Sequence, residues 1–226
     1  RFGEKLSAFE IFPEPALAMV LRHIPGTRNP FAAPPAWVTL AELWDTLDNP
    51  ALTSLFEEAL AEASQKEILK DAAIARSETQ RRDLWKLRDS IAEAQKKDGD
   101  GIKHDVSVPV AAIPEFIAKA DAAVETIVPG FTRVAFGHMG DGNIHYDPCP
   151  PRGMNHATFL KKGGKISRAV NGIVASLGGS ISAEHGIGAA RRRELAHYKD
   201  KESLALYRAV KKALDPKGVM NPGKLI

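Results

Sequence analysis

The chain is 226 residues long, with 31 Lys and Arg against 28 Asp and Glu, a formal charge of +3, and 44% hydrophobic residues. That apolar share suffices for one large domain or two small ones and excludes a disordered chain, while the near balance of charge leaves no concentrated basic face for nucleic acid. The single cysteine, Cys149, excludes an internal disulfide, and no stretch approaches the roughly 18 unbroken apolar residues of a membrane-spanning helix.

Extended and helical signals alternate along the chain. Residues 6–12, LSAFEIF, alternate like a strand, and Pro13-Glu14-Pro15 opens a short helix through His23. A Pro-rich loop at 27–35 precedes a strand-like run at 36–44, and Asn49-Pro50 starts a helix that ends near Gln65. Residues 67–75, EILKDAAIA, read as extended again. Ser77 and Gln80 form a capping box in front of a helix that continues to Lys97. The run 102–108, IKHDVSV, is the next strand, and Pro114 sits in the first turn of a helix whose Ile113, Phe116, Ile117, Ala120, Val124 and Ile127 recur at helical spacing.

Two extended runs, FTRVAFGHM and NIHYD, flank Asp141-Gly142, a strong hairpin signal. A long helix is expected over 155–177, with Ile166, Val170, Ile173 and Leu177 on one face and Gly178-Gly179 as its stop. A strand at 179–184, helices at 187–195 and 201–214, and a turn-rich tail at 215–226 complete the chain; within the first of these helices, Arg191-Arg192-Arg193 reads as a solvated face. Polar alternation and the hairpin favour antiparallel over parallel pairing. The expected fold is therefore α+β, an antiparallel sheet covered by helices on one side, in two roughly repeated ferredoxin-like, split β-α-β halves.

The chemistry concentrates in GHMGDGNIH (137–145) and SAEHGIG (182–188). If Asp141 and Gly142 alone form the turn, position 138 faces 145, and His138 and His145 stand opposite each other with Cβ atoms roughly 4.5–5.5 Å apart. Two imidazoles so placed suit one divalent ion, with Glu184 bringing a carboxylate from a separate strand end. Asn143 and Asp147 alternate onto the same face. His185, pointing away from the ion, stays free to move protons. Two histidines and one carboxylate leave coordination positions open, as catalysis requires; zinc fits, and manganese, iron or cobalt accept the same ligands.

Two cations need partners. Arg88 falls about 80° from the centre of the apolar stripe of its helix, and Lys103 follows on the next strand. Arg88 pairs either with Asp89 or Glu93 or with a substrate carboxylate, for which the guanidinium fork is matched. Cys149 lies in the loop DPCPPRG without an activating partner, which argues against a nucleophilic thiol.

Taken in this order, GHMGDGNIH, GSISAEHGIG and LDPKGVMNPGKLI resemble the C-terminal, substrate-side part of FAD-linked oxidases of the vanillyl-alcohol-oxidase type, the group holding D-lactate dehydrogenase, the glycolate oxidase FAD subunit and D-2-hydroxyglutarate dehydrogenase. The resemblance spans nearly the whole chain and implies oxidation of a D-2-hydroxy acid with hydride passing to FAD N5. It further implies His138, His145 and Glu184 as metal ligands, His185 as the base, and Arg88, Lys103 and Asp147 near substrate. Asn143 and Asn221 are implied on the cofactor side, the tail at 215–226 returning to the flavin domain. Two departures stand out: a threonine one turn after the arginine is here Ala92, and an asparagine two residues past the second metal histidine is here Asp147. Both argue against 2-hydroxyglutarate as the substrate.

The Gly-rich FAD-pyrophosphate loop of that family does not occur in these residues. FAD is accordingly expected on a flavin-binding domain of the same polypeptide or on a partner subunit, with residues 1–226 forming the substrate and metal domain. The other partner expected is a small 2-hydroxy acid, the electron acceptor and a homo-oligomeric state being left open. A cytoplasmic location, with peripheral membrane contact as the alternative, is the expectation. Two other functions share the same residues: a metal-dependent hydrolase, and a non-catalytic interaction domain with a vestigial site.

Overall fold

The computed structural model of the protein describes residues 1–47 and 49–226. Its strands are β1 (Leu6–Pro13), β2 (Trp37–Leu43), β3 (Asp105–Ser107), β4 (Thr132–His138) and β5 (Asn143–Cys149). They form one sheet in the order β2-β1-β4-β5-β3, with every pairing antiparallel. Helices α1 (Glu14–His23), α2 (Pro50–Gln65), α3 (Glu78–Asp89), α4 (Ile91–Asp98) and α5 (Ile113–Ile127) are followed by α6 (His156–Leu160), α7 (Gly163–Ser176), α8 (Arg192–Tyr198) and α9 (Lys201–Leu214). Proline opens α1, α2 and α5, where its missing N–H costs nothing. Side-chain caps open α3 and α9: Ser77 accepts from the Gln80 N–H, and Asp200 from the Ser203 N–H.

The α+β expectation holds, with one correction: helices cover both faces of the sheet. On one face Val106, Ala135, Ile144 and Tyr146 pack in a cluster with Phe116 of α5 and Ile166, Val170 and Val174 of α7. On the other, Phe12, Val38, Val134 and Phe136 meet Leu17 and Val20 of α1, Leu87 of α3 and Ile91 of α4. The cause lies in β5, which sits between β4 and β3 and is buried at all seven positions. A strand buried on both sides needs a layer above and below it. Each fully buried Ile or Phe contributes roughly 1.5–3 kcal/mol through area removed from water.

The two halves of the sheet are unequal. In the second, β3 and β4 are joined by α5 and flank β5, and Ser180 adds a bridge to Ser107, so the split β-α-β pattern is present. In the first, β1 and β2 are direct antiparallel neighbours with nothing inserted between them. Residues 67–75, expected as a strand, join no sheet, and Ile68 is 77% exposed. The strand expected at 179–184 shrinks to the Ser107–Ser180 bridge. Gly179 brings the two segments so close there that a Cβ on it would lie 2.2 Å from the Ser107 carbonyl oxygen.

The helix expected to reach Lys97 breaks at Ser90 into α3 and α4, the one expected over 155–177 breaks at 161–162 into α6 and α7, and the one expected at 187–195 becomes α8, a few residues later. Residues 102–104 precede the three-residue β3, and Cys149 ends β5 rather than lying in a loop.

Candidate metal and substrate site

Strand alternation gathers polar residues on the sheet face that α1, α3 and α4 cover. Register places Glu10 opposite His138, His138 opposite Asn143, and His145 opposite both Phe136 and Asp105. Because side chains repeat every two residues, Glu10, His138, Asn143, His145, Asp147 and Asp105 share that face. They form a polar band beside the apolar cluster of Phe12, Val134 and Phe136.

The hairpin register differs from the expected one by two residues. His138 pairs with Asn143, so the loop is four residues long, Met139 to Gly142, and the two histidines are diagonal rather than opposite. Tertiary bonds override the two-residue turn. Met139 N–H donates to the Phe9 carbonyl at 2.8 Å, the Asp141 carboxylate accepts from Asn143 N–H at 3.0 Å, and Val108 N–H donates to the Gly142 carbonyl at 3.1 Å. Gly142 sits at φ +82°, pressed so closely on Val108 that a Cβ would lie 2.0 Å from its carbonyl oxygen. A shift of two residues keeps both histidines on one face, and their ring centroids lie 6.2 Å apart.

Both imidazoles turn the same atom toward Glu184. His145 Nε2 lies 3.1 Å from Glu184 Oε1, and His138 Nε2 lies 3.9 Å from Oε2. The opposite nitrogens face carboxylates: His138 Nδ1 lies 2.7 Å from Glu10 Oε1, and His145 Nδ1 lies 3.8 Å from Asp105 Oδ1. Converging Nε2 atoms and a carboxylate, with other carboxylates against the far ring nitrogens, are a donor set that could hold a divalent ion. Burial holds His145 below the ordinary imidazole pKa, although Glu184 and Asp105 pull it up, which favours the neutral form a ligand needs.

Asp105 carries no signal in the sequence beyond its place in a short polar-alternating strand, yet it organises the site. It is 1% exposed, and its Oδ2 accepts the N–H groups of Ala183, Glu184 and His185 at 3.1, 3.0 and 2.8 Å. These bonds hold SAEHGIG as a loop and deliver Glu184 to the histidines, correcting the expected strand end. His185 does not point away. Its ring stacks on His145 at 5.2 Å, its Nε2 lies 3.6 Å from Glu184 Oε1, and its side chain is 61% exposed. Asp105, His145, Glu184 and His185 together form a cluster whose ligand atoms all lie within 4.8 Å of one another. With Oδ2 taken by three N–H donors and Oδ1 beside His145 Nδ1, the ring nitrogen opposite the one that faces Glu184, Asp105 is an anchor rather than a first choice of ligand.

Arg88 reaches the same band from α3. Its partner is Glu10, on a strand 78 residues earlier in the chain and unnoticed in the sequence, rather than Asp89 or Glu93; Nε donates to Glu10 Oε2 at 2.8 Å. The guanidinium lies 5.0 Å above the Phe136 ring. Lys103 joins the band through Asp147, at 3.1 Å, and also contacts Gln95 and Asp100. Burial works against the Lys103 ammonium, but Asp147 and Asp100 outweigh it and raise its pKa. Burial likewise pushes the Asp147 carboxyl up while Lys103 pulls it back.

Asn143 is 5% exposed, and its Oδ1 has no hydrogen-bond partner among the described residues. Asn221 is not brought to this cluster; it is exposed in a tail turn at φ +47°. Ala92 lies beyond the break at Ser90 and is exposed. Burial pushes the Cys149 thiol up to about 12, which removes it as a nucleophile near neutral pH.

A family model described as "FAD linked oxidases, C-terminal domain" matches residues 1–225. The chain belongs to that family. Among curated relatives, this FAD-linked oxidase domain is 35% identical to a D-2-hydroxyglutarate dehydrogenase of Xanthomonas citri pv. viticola, covering 98% of the chain and 46% of the relative. A D-2-hydroxyglutarate dehydrogenase of Stutzerimonas stutzeri is 36% identical over 97% of the chain and 47% of the relative. The mitochondrial D-2-hydroxyglutarate dehydrogenase of Arabidopsis thaliana is 32% identical over 99% of the chain and 38% of the relative. The chain thus spans about half the length, or less, of the relatives it matches. No helix among the described residues is long and apolar enough to cross a membrane.

Proposed function

We propose that this domain is the substrate- and metal-binding part of a flavin-dependent dehydrogenase that oxidises a D-2-hydroxy acid to the 2-oxo acid, with FAD held by a flavin-binding domain of the same polypeptide or a partner subunit. The observation that carries it is the convergence of His138 Nε2, His145 Nε2 and both Glu184 oxygens beside the exposed ring of His185. When bound, FAD supplies the hydride acceptor at N5, and a divalent ion, zinc or manganese, supplies Lewis acidity that lowers the pKa of a hydroxyl.

The chain's own residues do the rest. His138, His145 and Glu184 hold the ion. Arg88 binds the substrate carboxylate, fixing the hydroxy carbon relative to the histidines. His185 Nε2 takes the hydroxyl proton: its ring is open to solvent on one side and pinned by its stack on His145 on the other. Asn143, with its unpartnered Oδ1, is the candidate contact to the flavin or substrate from the sheet. The tail is read as the part that returns to a flavin domain. Leu225 N–H bonds to the Gly188 carbonyl at 2.9 Å, tying residues 215–226, and Asn221 with them, to the segment that carries Glu184 and His185.

Lys103 already answers Asp147, so the extra anion is matched, but the lysine is less available to a second substrate carboxylate. Short monocarboxylic hydroxy acids are therefore the preferred class. In the complete flavoprotein, His185→Ala is expected to lower the rate of flavin reduction by roughly 10²–10⁴-fold while flavin and metal content stay unchanged. Full-rate reduction in that variant would remove the base. Steady-state comparison is expected to give D-lactate a higher kcat/KM than D-2-hydroxyglutarate; the reverse order would restore the second carboxylate to the site.

A further inference from the structure

Glu10 is neither ligand nor base in the chemistry above, yet it touches two of its participants. The residue is 3% exposed. Its Oε2 accepts from Arg88 Nε at 2.8 Å, and its Oε1 lies 2.7 Å from His138 Nδ1. A carboxylate offers only acceptors, so the short contact requires the proton of neutral His138 to reside on Nδ1. The lone pair is then on Nε2, the nitrogen turned toward Glu184.

The same carboxylate engages Arg88 only through Nε. Neither Nη atom of this buried side chain makes a hydrogen bond or ion pair with a described residue, and the guanidinium carbon lies over the Phe136 ring, 5.0 Å from its centroid. The free fork is the part that matches a carboxylate.

We propose that Glu10 is a positioning residue that sets two functional groups at once: it fixes the tautomer of His138 for metal ligation and anchors Arg88 by Nε so that its two terminal nitrogens face the substrate. The inference rests on the metal reading above.

Glu10→Gln in the complete flavoprotein tests it. An amide has one oxygen, and the charge-assisted bond from Arg88 claims it, leaving the NH₂ group against His138 Nδ1. The imidazole must then accept at Nδ1 and carry its proton on Nε2, where an ion would bind. Zinc affinity, measured by competition with a chromophoric chelator, is expected to fall about 10–100-fold while circular dichroism and melting temperature stay close to the parent's. A folded variant binding zinc within about twofold of the parent would overturn the role of Glu10 and leave the metal site standing. A parent protein that retains no divalent ion would overturn the metal reading itself.

Where Glu10→Gln does not fold, the parent decides the matter alone. ¹⁵N spectra of the ion-free protein should show His138 protonated at Nδ1; protonation at Nε2 would overturn the proposal.

Discussion

The two faces of the sheet are built from the same strands by alternate residues, and they do opposite work. Toward α5 and α7, Val106, Ala135, Ile144 and Tyr146 are all fully buried and join one apolar cluster, with the Tyr146 hydroxyl donating to Asp121. Toward α1, α3 and α4 the cluster of Phe12, Val134 and Phe136 gives way to a band of carboxylates and imidazoles, three of which, Glu10, Asp105 and Asp147, are at most 3% exposed. The first face supplies stability by area. The second spends it, because each buried carboxylate must find donors to offset the loss of water. Cross-strand and loop partners answer most of that need; among the described residues Asp105 Oδ1, Asn143 Oδ1 and the Arg88 fork stay without a hydrogen bond, and the last two are what a ligand can use.

That contrast can be broken from either side. Ile166→Ala, a truncation under the apolar face, is expected to cost roughly 2–5 kcal/mol by thermal or urea unfolding while zinc affinity is retained; a parallel loss of both would show that the faces are not independent. His104 is the exception on the apolar side. Burial pulls its pKa down to about 4, with Nδ1 at 2.8 Å from the Tyr146 carbonyl and Nε2 at 3.1 Å from Ser167 Oγ. The folded state prefers the neutral ring, so its contribution is complete above the unfolded value of about 6.5 and declines as pH falls toward 4. The loss amounts to about 3 kcal/mol over that window. Unfolding curves of parent and His104→Asn should converge in acid; identical pH slopes would show that His104 is not the group responsible.

On the polar face, Asp105→Asn is expected to cost about 1–3 kcal/mol, since an amide oxygen keeps weaker bonds to the N–H groups of Ala183, Glu184 and His185. Hydrogen exchange should accelerate at those three amides more than elsewhere. Unchanged protection would mean that the loop is held by other contacts.

Elements governed by local chemistry are legible in the sequence. Proline-opened α1, α2 and α5, the Ser77 cap and the apolar stripe of α5 all follow from residues within a turn or two of one another. The same holds for the clustered polar side chains: His138, His145, Glu184 and His185 stand out as Gly-flanked histidines and a glutamate in two short segments, and the structure brings them together. Legibility ended where a partner lay far along the chain. Residues 67–75 and 179–184 have strand-like patterns, but a strand exists only when an edge is available to pair with it. Glu10 and Asp105 look like solvated strand residues until the sheet sets them beside His138 and His145.

By itself, then, the chain determined the starts of α1, α2, α3, α5 and α9, the face-sharing of its histidines and the kinds of atoms offered to a ligand, since all of these depend on periodicity and on side-chain chemistry over short spans. Only the tertiary structure decided the hairpin register, the helices on both faces, the anchoring of the Glu184 loop by one carboxylate and the pairing of Arg88 with Glu10. The last two of these are set by hydrogen-bond donors and acceptors that meet across 78 to 80 positions of sequence, and burial rewards all of them only after the whole sheet has closed.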